Sequence, residues 1–289
     1  MKIVEFMKSN YLYLIWFVLY FTLAWGLLGA SLNSFILVSI AYAVSITVAL
    51  SPVGEFILRI MVNCREIATE QERDYLIPIF EEVYENAKEI DPELSNDIKL
   101  YIMDAMYINA YAIGRKTIAV TQGAIETFTE DELKGFIAHE FGHMKHGHSK
   151  ALLLSRVGNF IFSIIAWVFM FFSRAIEVVS NIVAQFNLIG IIFSIFAFII
   201  RIFIELSIFV FVHLSEIILA LNSRANELEA DEFAHSIGYG RELTAGLYIL
   251  HKISIHTKPT IMEKLKATHP HIPHRIKKIE ILENQVLEG

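Results

Sequence analysis

Apolar and polar positions alternate along this chain in blocks rather than residue by residue. No charged side chain lies between Lys8 and Glu55. Inside that stretch, Tyr11 to Ala30 and Phe35 to Leu50 are largely apolar runs of 20 and 16 residues. Only Ser31, Leu32, Asn33 and Ser34 part them. A membrane-crossing helix needs ~20 apolar residues, so the pattern predicts a two-span hairpin with a short turn. A cleaved leader is the poorer reading, because its apolar core is usually ~7–15 residues and no second run follows it.

A second apolar pair lies mid-chain. Val157 to Ser173 is uncharged, and so is Val178 to Ile200; Arg174 and Glu177 lie between them. Arg201 and Glu205 follow, then apolar sequence to Leu221. This predicts a second hairpin turning near Arg174. A single helix from Leu188 to Leu221 would be ~51 Å long, more than the ~30 Å hydrocarbon core. Its last turns should therefore leave the lipid for a polar domain. Arg201 and Glu205 stand four apart and can pair on one helix face.

The remaining sequence is polar. The expected division is 1–54 as the first hairpin, 55–150 as the first part of a soluble domain, 151–221 as the second hairpin and 222–289 as the second part. Glu70 to Lys88 has apolar residues at helical spacing. Thr117 to Thr121 is short and β-branched and predicts a strand. Thr129 with Glu132 three residues on predicts a capped helix start. Lys2 and Lys8 precede the first span and Arg59 and Arg65 follow the second, which by the charge rule places the soluble part in the cytoplasm of a multi-pass cell-membrane protein.

Composition agrees with this layout. Hydrophobic residues make up 55% and charged residues 19%, against ~25% charged in soluble domains, and the mean hydropathy is +0.50. The net charge of −7 gives no basic field for nucleic acid. The single cysteine, Cys64, excludes an internal disulfide framework.

The chemistry sits in the helix after Thr129, which reads His139-Glu140-Phe141-Gly142-His143. Histidines four apart face one side of a helix and can reach one tetrahedral metal, with the intervening glutamate close enough to hold a water. A hydrolytic zinc site needs a third protein ligand. Positions 146 and 149 are His146 and Ser149 rather than the metzincin Gly and His, and Met144 to Ile176 contains no Asp or Glu. The ligand must come from further on. The best candidate segment runs from Asn226 to Ala234, where Glu227 and Asp231 share a helix face. One can bind the metal while the other accepts the N–H of a ligand histidine. His146 and His148 read as exposed helix-end histidines, because the ligand set is complete without them.

These residues resemble the HtpX-like membrane zinc metalloproteases, relatives of the CAAX prenyl proteases. The resemblance covers most of the chain: the N-terminal hairpin, Asn109-Ala110-Tyr111-Ala112-Ile113-Gly114, Ile118-Ala119-Val120-Thr121, the His-Glu-x-x-His helix, the second apolar pair, Ser223-Arg224 with Glu227 and Asp231, and Thr268-His269-Pro270. One departure is Asn226, where family members usually carry arginine. The resemblance implies a mainly α membrane protein with about four transmembrane helices in two hairpins and one cytoplasmic α+β gluzincin-type domain with a small sheet. It implies one Zn2+ per chain on His139, His143 and Glu227, with Glu140 as the catalytic base and Asp231 supporting a ligand histidine. It assigns His269 to the transition state, Asn109 and the strand 118–121 to a substrate-docking edge, with a buried structural strand as the other reading of 118–121, and Arg224 to the same neighbourhood. The implied substrates are unfolded or membrane proteins. A selective prenyl-protein processor should have more spans, and a metal transporter should carry its ligands inside its spans.

Overall fold

The computed structural model describes residues 11–156, 160–186, 188–254 and 272–288. The chain opens with α1 (Tyr11–Leu27) and α2 (Leu32–Ala49). The turn is fixed by a reciprocal cap, in which the Ser31 hydroxyl accepts from the Ser34 N–H and the Ser34 hydroxyl accepts from the Ser31 N–H. α3 (Pro52–Met61) follows at once, capped by Ser51 with Pro52 in its first turn, where the missing N–H costs nothing.

The sheet-bearing part contains β1 (Cys64–Arg65), α4 (Glu70–Ile90), β2 (Lys99–Met103), β3 (Ala110–Ile113) and β4 (Thr117–Thr121). The strand order is β1-β2-β4-β3. β4 runs parallel to β2, with Ile118 opposite Leu100, and antiparallel to β3, with Ile118 opposite Ala112. Every residue of β4 is buried, as expected of a central strand covered on both faces. β3 is one edge.

Then come α5 (Gln122–Thr127), α6 (Glu130–Lys145), α7 (His148–Arg156), α8 (Phe160–Ala184), α9 (Leu188–Ser236), α10 (Gly240–Ser254) and α11 (Ile272–Glu288). One core joins residues from both sides of the second apolar segment: Leu76, Ile118, Val120, Ile137 and Phe141 pack with Phe233, Leu243 and Ile279. Among the described residues, three helices are long and apolar enough to cross a membrane, at Leu32–Ala49, Ala166–Ala184 and Leu188–Val210, and α1 is a shorter apolar helix beside them. Trp16, Tyr20, Val38 and Tyr42 of the first pair pack against Ala166 of α8. Elsewhere the second pair shows large apolar side chains outward, Phe196 and Phe203 among them.

The second hairpin turns at Gln185–Phe186 rather than near Arg174. Arg174 and Glu177 lie inside α8 because their partners stand on the facing helix. Arg174 Nε pairs with Glu205 at 3.0 Å, and Arg201 pairs with Glu205 at 2.9 Å and also with Glu177. Charges neutralised across two helices need not end either one. α9 is a single helix of 49 residues, about 74 Å long. Its first half is apolar and its last turns enter the polar domain.

Candidate metal centre

α6 is held at its start by a Thr129–Glu132 capping box. One face of the helix carries His139 and His143. α9 crosses it at Gly142, where a Cβ would lie 2.7 Å from the Ala230 Cα. Only glycine permits that approach, and it brings Glu227, one turn before Ala230, over the two histidines. His139 Nε2 lies 3.4 Å from Glu227 Oε2, and His143 Nε2 lies 3.4 Å from Glu227 Oε1. Ligand atoms of the three residues all fall within 4.8 Å of one another. A tetrahedron with bonds of ~2.0–2.1 Å to its ligands has edges of ~3.3 Å, so the spacing suits one small dication.

Charge gives a second test of fit. Glu140, Glu227 and Asp231 are all buried, and the buried cation among them is Arg275 of α11. Its Nη1 lies 2.8 Å from Glu227 Oε2, and it forks onto Asp231 with Nε at 2.8 Å and Nη2 at 2.6 Å. Three carboxylates against one guanidinium leave the site short of positive charge, which a divalent ion displacing the His139 proton would supply. The residues therefore fit zinc both in geometry and in charge.

Each histidine has its other nitrogen held. His139 Nδ1 lies 2.9 Å from Asp231 Oδ1. Burial and the Arg275 charge push the His139 pKa down, but the bonds to Asp231 and Glu227 outweigh them and leave it raised to about 9. Burial likewise disfavours the Asp231 carboxylate, but Arg275 and His139 hold its pKa below the usual value. His143 Nδ1 lies 3.0 Å from His148 Nδ1, and His148 Nε2 lies 3.2 Å from Glu229 Oε2. Burial pushes His148 down to about 4 despite Glu229, so it is neutral. A neutral His148 donating to Glu229 accepts the His143 N–H, which leaves His143 Nε2 bare towards the metal position.

His148 is therefore not an exposed helix-end residue. The short Gly147 turn (φ +74°) folds it back onto His143. His146 is half-buried and lies 3.7 Å from Glu229. Arg275 was not anticipated. Its signal is periodic: it occupies the face of α11 shared by Ile276 and Ile279, both buried, where an aliphatic residue belongs.

Of the two readings of strand 118–121, the structure has the buried structural strand. Ile118 to Thr121 lies inside β4, paired on both sides, and has no free edge. The edge beside the site is β3, which packs along α6; among the described residues no further strand pairs with it. Asn109 stands at its entrance, with its N–H bonded to the Thr121 hydroxyl at 3.0 Å and its carbonyl accepting the Thr121 N–H at 3.0 Å. His269 lies outside the described residues, and so does the side chain of Arg224.

A buried histidine, a half-buried one and a buried glutamate on crossing helices, with the Glu140 carboxylate between the histidines and a sheet edge alongside, form a cluster that could hold one metal ion. The chain belongs to peptidase family M48, whose model matches residues 70–283. A protein named Protease HtpX homolog from Thermoanaerobacter pseudethanolicus is 29% identical over 300 residues, covering 92% of this chain and 88% of the relative. Relatives of the same name from Helicobacter acinonychis and Aquifex aeolicus are 43% identical over 60 residues and 37% over 90. These matches span 19% and 28% of the relatives' own lengths. Among solved structures, S. mikatae Ste24p aligns with a TM-score of 0.45 at 18% identity, covering 85% of this chain and 56% of that one.

Proposed function

We propose that the chain is a membrane-anchored, zinc-dependent endopeptidase that cleaves misfolded or membrane proteins at the cytoplasmic face of the bilayer. The observation that carries this reading is the set of two 3.4 Å ligand–ligand separations around Glu227, with Glu140 on the same helix between the histidines. His139, His143 and Glu227 would hold the metal, which when bound supplies Lewis acidity to a water and to the scissile carbonyl. Glu140 takes the proton of that water and passes it to the leaving amine. Asp231 and Arg275 keep His139 and Glu227 in position. The free edge of β3 takes an extended peptide by main-chain hydrogen bonding, which selects for unfolded stretches rather than for a particular side chain. His269 would supply the additional hydrogen-bond donor that the developing oxyanion requires.

The cytoplasmic placement rests on Arg59 and Arg65 following the second span, together with the lysines at the start of the chain. The test uses the detergent-purified full chain with an unfolded casein-type substrate. Chelator should abolish cleavage and zinc should restore it. Glu140→Gln should keep stoichiometric zinc and lose cleavage; if this variant cut at the wild-type rate, the reading would be wrong.

A further inference from the structure

We propose that the pocket where α3 meets the tip of the β3–β4 hairpin binds the phosphate-bearing headgroup of an anionic phospholipid, while α3 lies flat in the bilayer surface. The proposal rests on the reading of the chain as membrane-anchored. α3 begins at Pro52, three residues after Ala49 ends α2, so it sits at the depth of the headgroups. Its two sides differ. Gly54, Glu55 and Leu58 are buried against the protein, whereas Val53, Phe56, Ile60 and Met61 are all more than half exposed. Val53, Phe56 and Ile60 recur at i, i+3 and i+7, one stripe of a short helix. Continuity with a span gives that stripe its cover: the acyl boundary, into which an interfacial helix buries its apolar face by ~5–10 Å.

Beside the helix lies a cavity of about 900 Å³, bounded on the membrane side by Leu50 and Pro52. Arg59, Lys99, Arg115 and Lys116 line it, with Glu55 and Asp97. The carboxylates are committed. Glu55 accepts the Arg115 backbone N–H at 2.6 Å, and Asp97 pairs with Lys116 at 2.8 Å. Arg59 is anchored, with Nη1 donating to the Thr117 hydroxyl at 2.9 Å and its guanidinium 4.8 Å from the centre of the Tyr101 ring. Gly114 holds the tip against α3: its φ is +63°, and a Cβ there would lie 2.4 Å from the Glu55 side chain. Four cations face two carboxylates at the water–lipid boundary, and the fixed guanidinium suits a phosphodiester oxygen. A soluble anion would satisfy the charges but not the adjoining apolar stripe, and the lipid satisfies both.

The full chain, purified in detergent with equal amounts of phosphatidylglycerol and phosphatidylcholine, should retain the anionic lipid about fivefold over the zwitterionic one, read by mass spectrometry of bound phospholipid. Arg115→Glu with Lys116→Glu should abolish that preference, and Arg115→Gln with Lys116→Gln should weaken it without introducing repulsion. Phe56→Ser should lower retention of both lipids. Equal retention of the two lipids by the wild type would overturn the proposal. So would an unchanged preference in both paired variants, or displacement of the bound lipid by excess inorganic phosphate. Resistance of the wild type to carbonate extraction reports membrane anchoring separately, so loss of anchoring and loss of the lipid site give different results.

Discussion

Two clusters of charge stand between helices among the described residues, and they are built on opposite terms. Between α8 and α9, Arg174 and Arg201 meet Glu177 and Glu205, two cations with two anions. Between α6, α9 and α11, one guanidinium meets three carboxylates. The first cluster is electrically complete and needs nothing further. The second is short of positive charge, and two histidines and a glutamate turn ligand atoms towards one point. A balanced cluster ties helices together, whereas an unbalanced one is a binding site.

The contrast breaks most sharply at Glu227. Glu227→Ala should abolish stoichiometric zinc, measured by elemental analysis of the purified chain; full metal retention would show that another residue completes the set. Next is Arg275→Ala, which leaves Glu227 and Asp231 buried with less compensation. It should cost about 3–5 kcal/mol of stability, measured by chemical denaturation of the metal-free chain. In the balanced cluster, Arg201→Ala should cost less stability than Arg275→Ala, because Arg174 still faces Glu205, while leaving zinc content intact. Equal loss of zinc in both arginine variants would erase the distinction between the clusters.

Acidity sharpens it further. The folded pKa of His139 is raised to about 9 from 6.5, so its proton stabilises the metal-free fold below pH 6.5. That stabilisation is lost as pH rises through about 9. Zinc competes with the same proton, so its affinity should climb about tenfold per pH unit up to about 9 and then level off, read by chelator competition. The smallest effect belongs to His148. His148→Ala should weaken zinc about 10–100-fold, and His148→Asp should recover part of the loss by accepting the same His143 N–H.

The chemistry of the site was legible because it is local. His139, Glu140 and His143 share one turn of helix, and so do Glu227 and Asp231, so spacing alone places each set on one face. The hairpin turn at Ser31 and the cap at Thr129 are equally local. What escaped depends on distant partners. Arg275 acquires its role from Asp231, 44 residues away, and from His139, 136 residues away. The strand at Thr117 was readable, but its central place was not, since sheet order follows from pairings between separate segments. The turn of the second hairpin was misplaced because Arg174 looks like an interruption until Glu205, 31 residues on, is seen opposite it.

α9 carries one further consequence. Its first part, Leu188 to Val210, suits a span, and Glu227 lies farther along the same unbroken helix, about 25 Å past the end of that span at 1.5 Å per residue. A rod of that length is a lever: one degree of tilt about the membrane surface carries the Glu227 carboxylate sideways by about 0.4 Å. Catalytic constellations tolerate only about 0.5 Å of misplacement, and helix tilt responds to bilayer thickness. On the proposed reading of Glu227 as a metal ligand, membrane thickness would thereby be a mechanical input to its carboxylate.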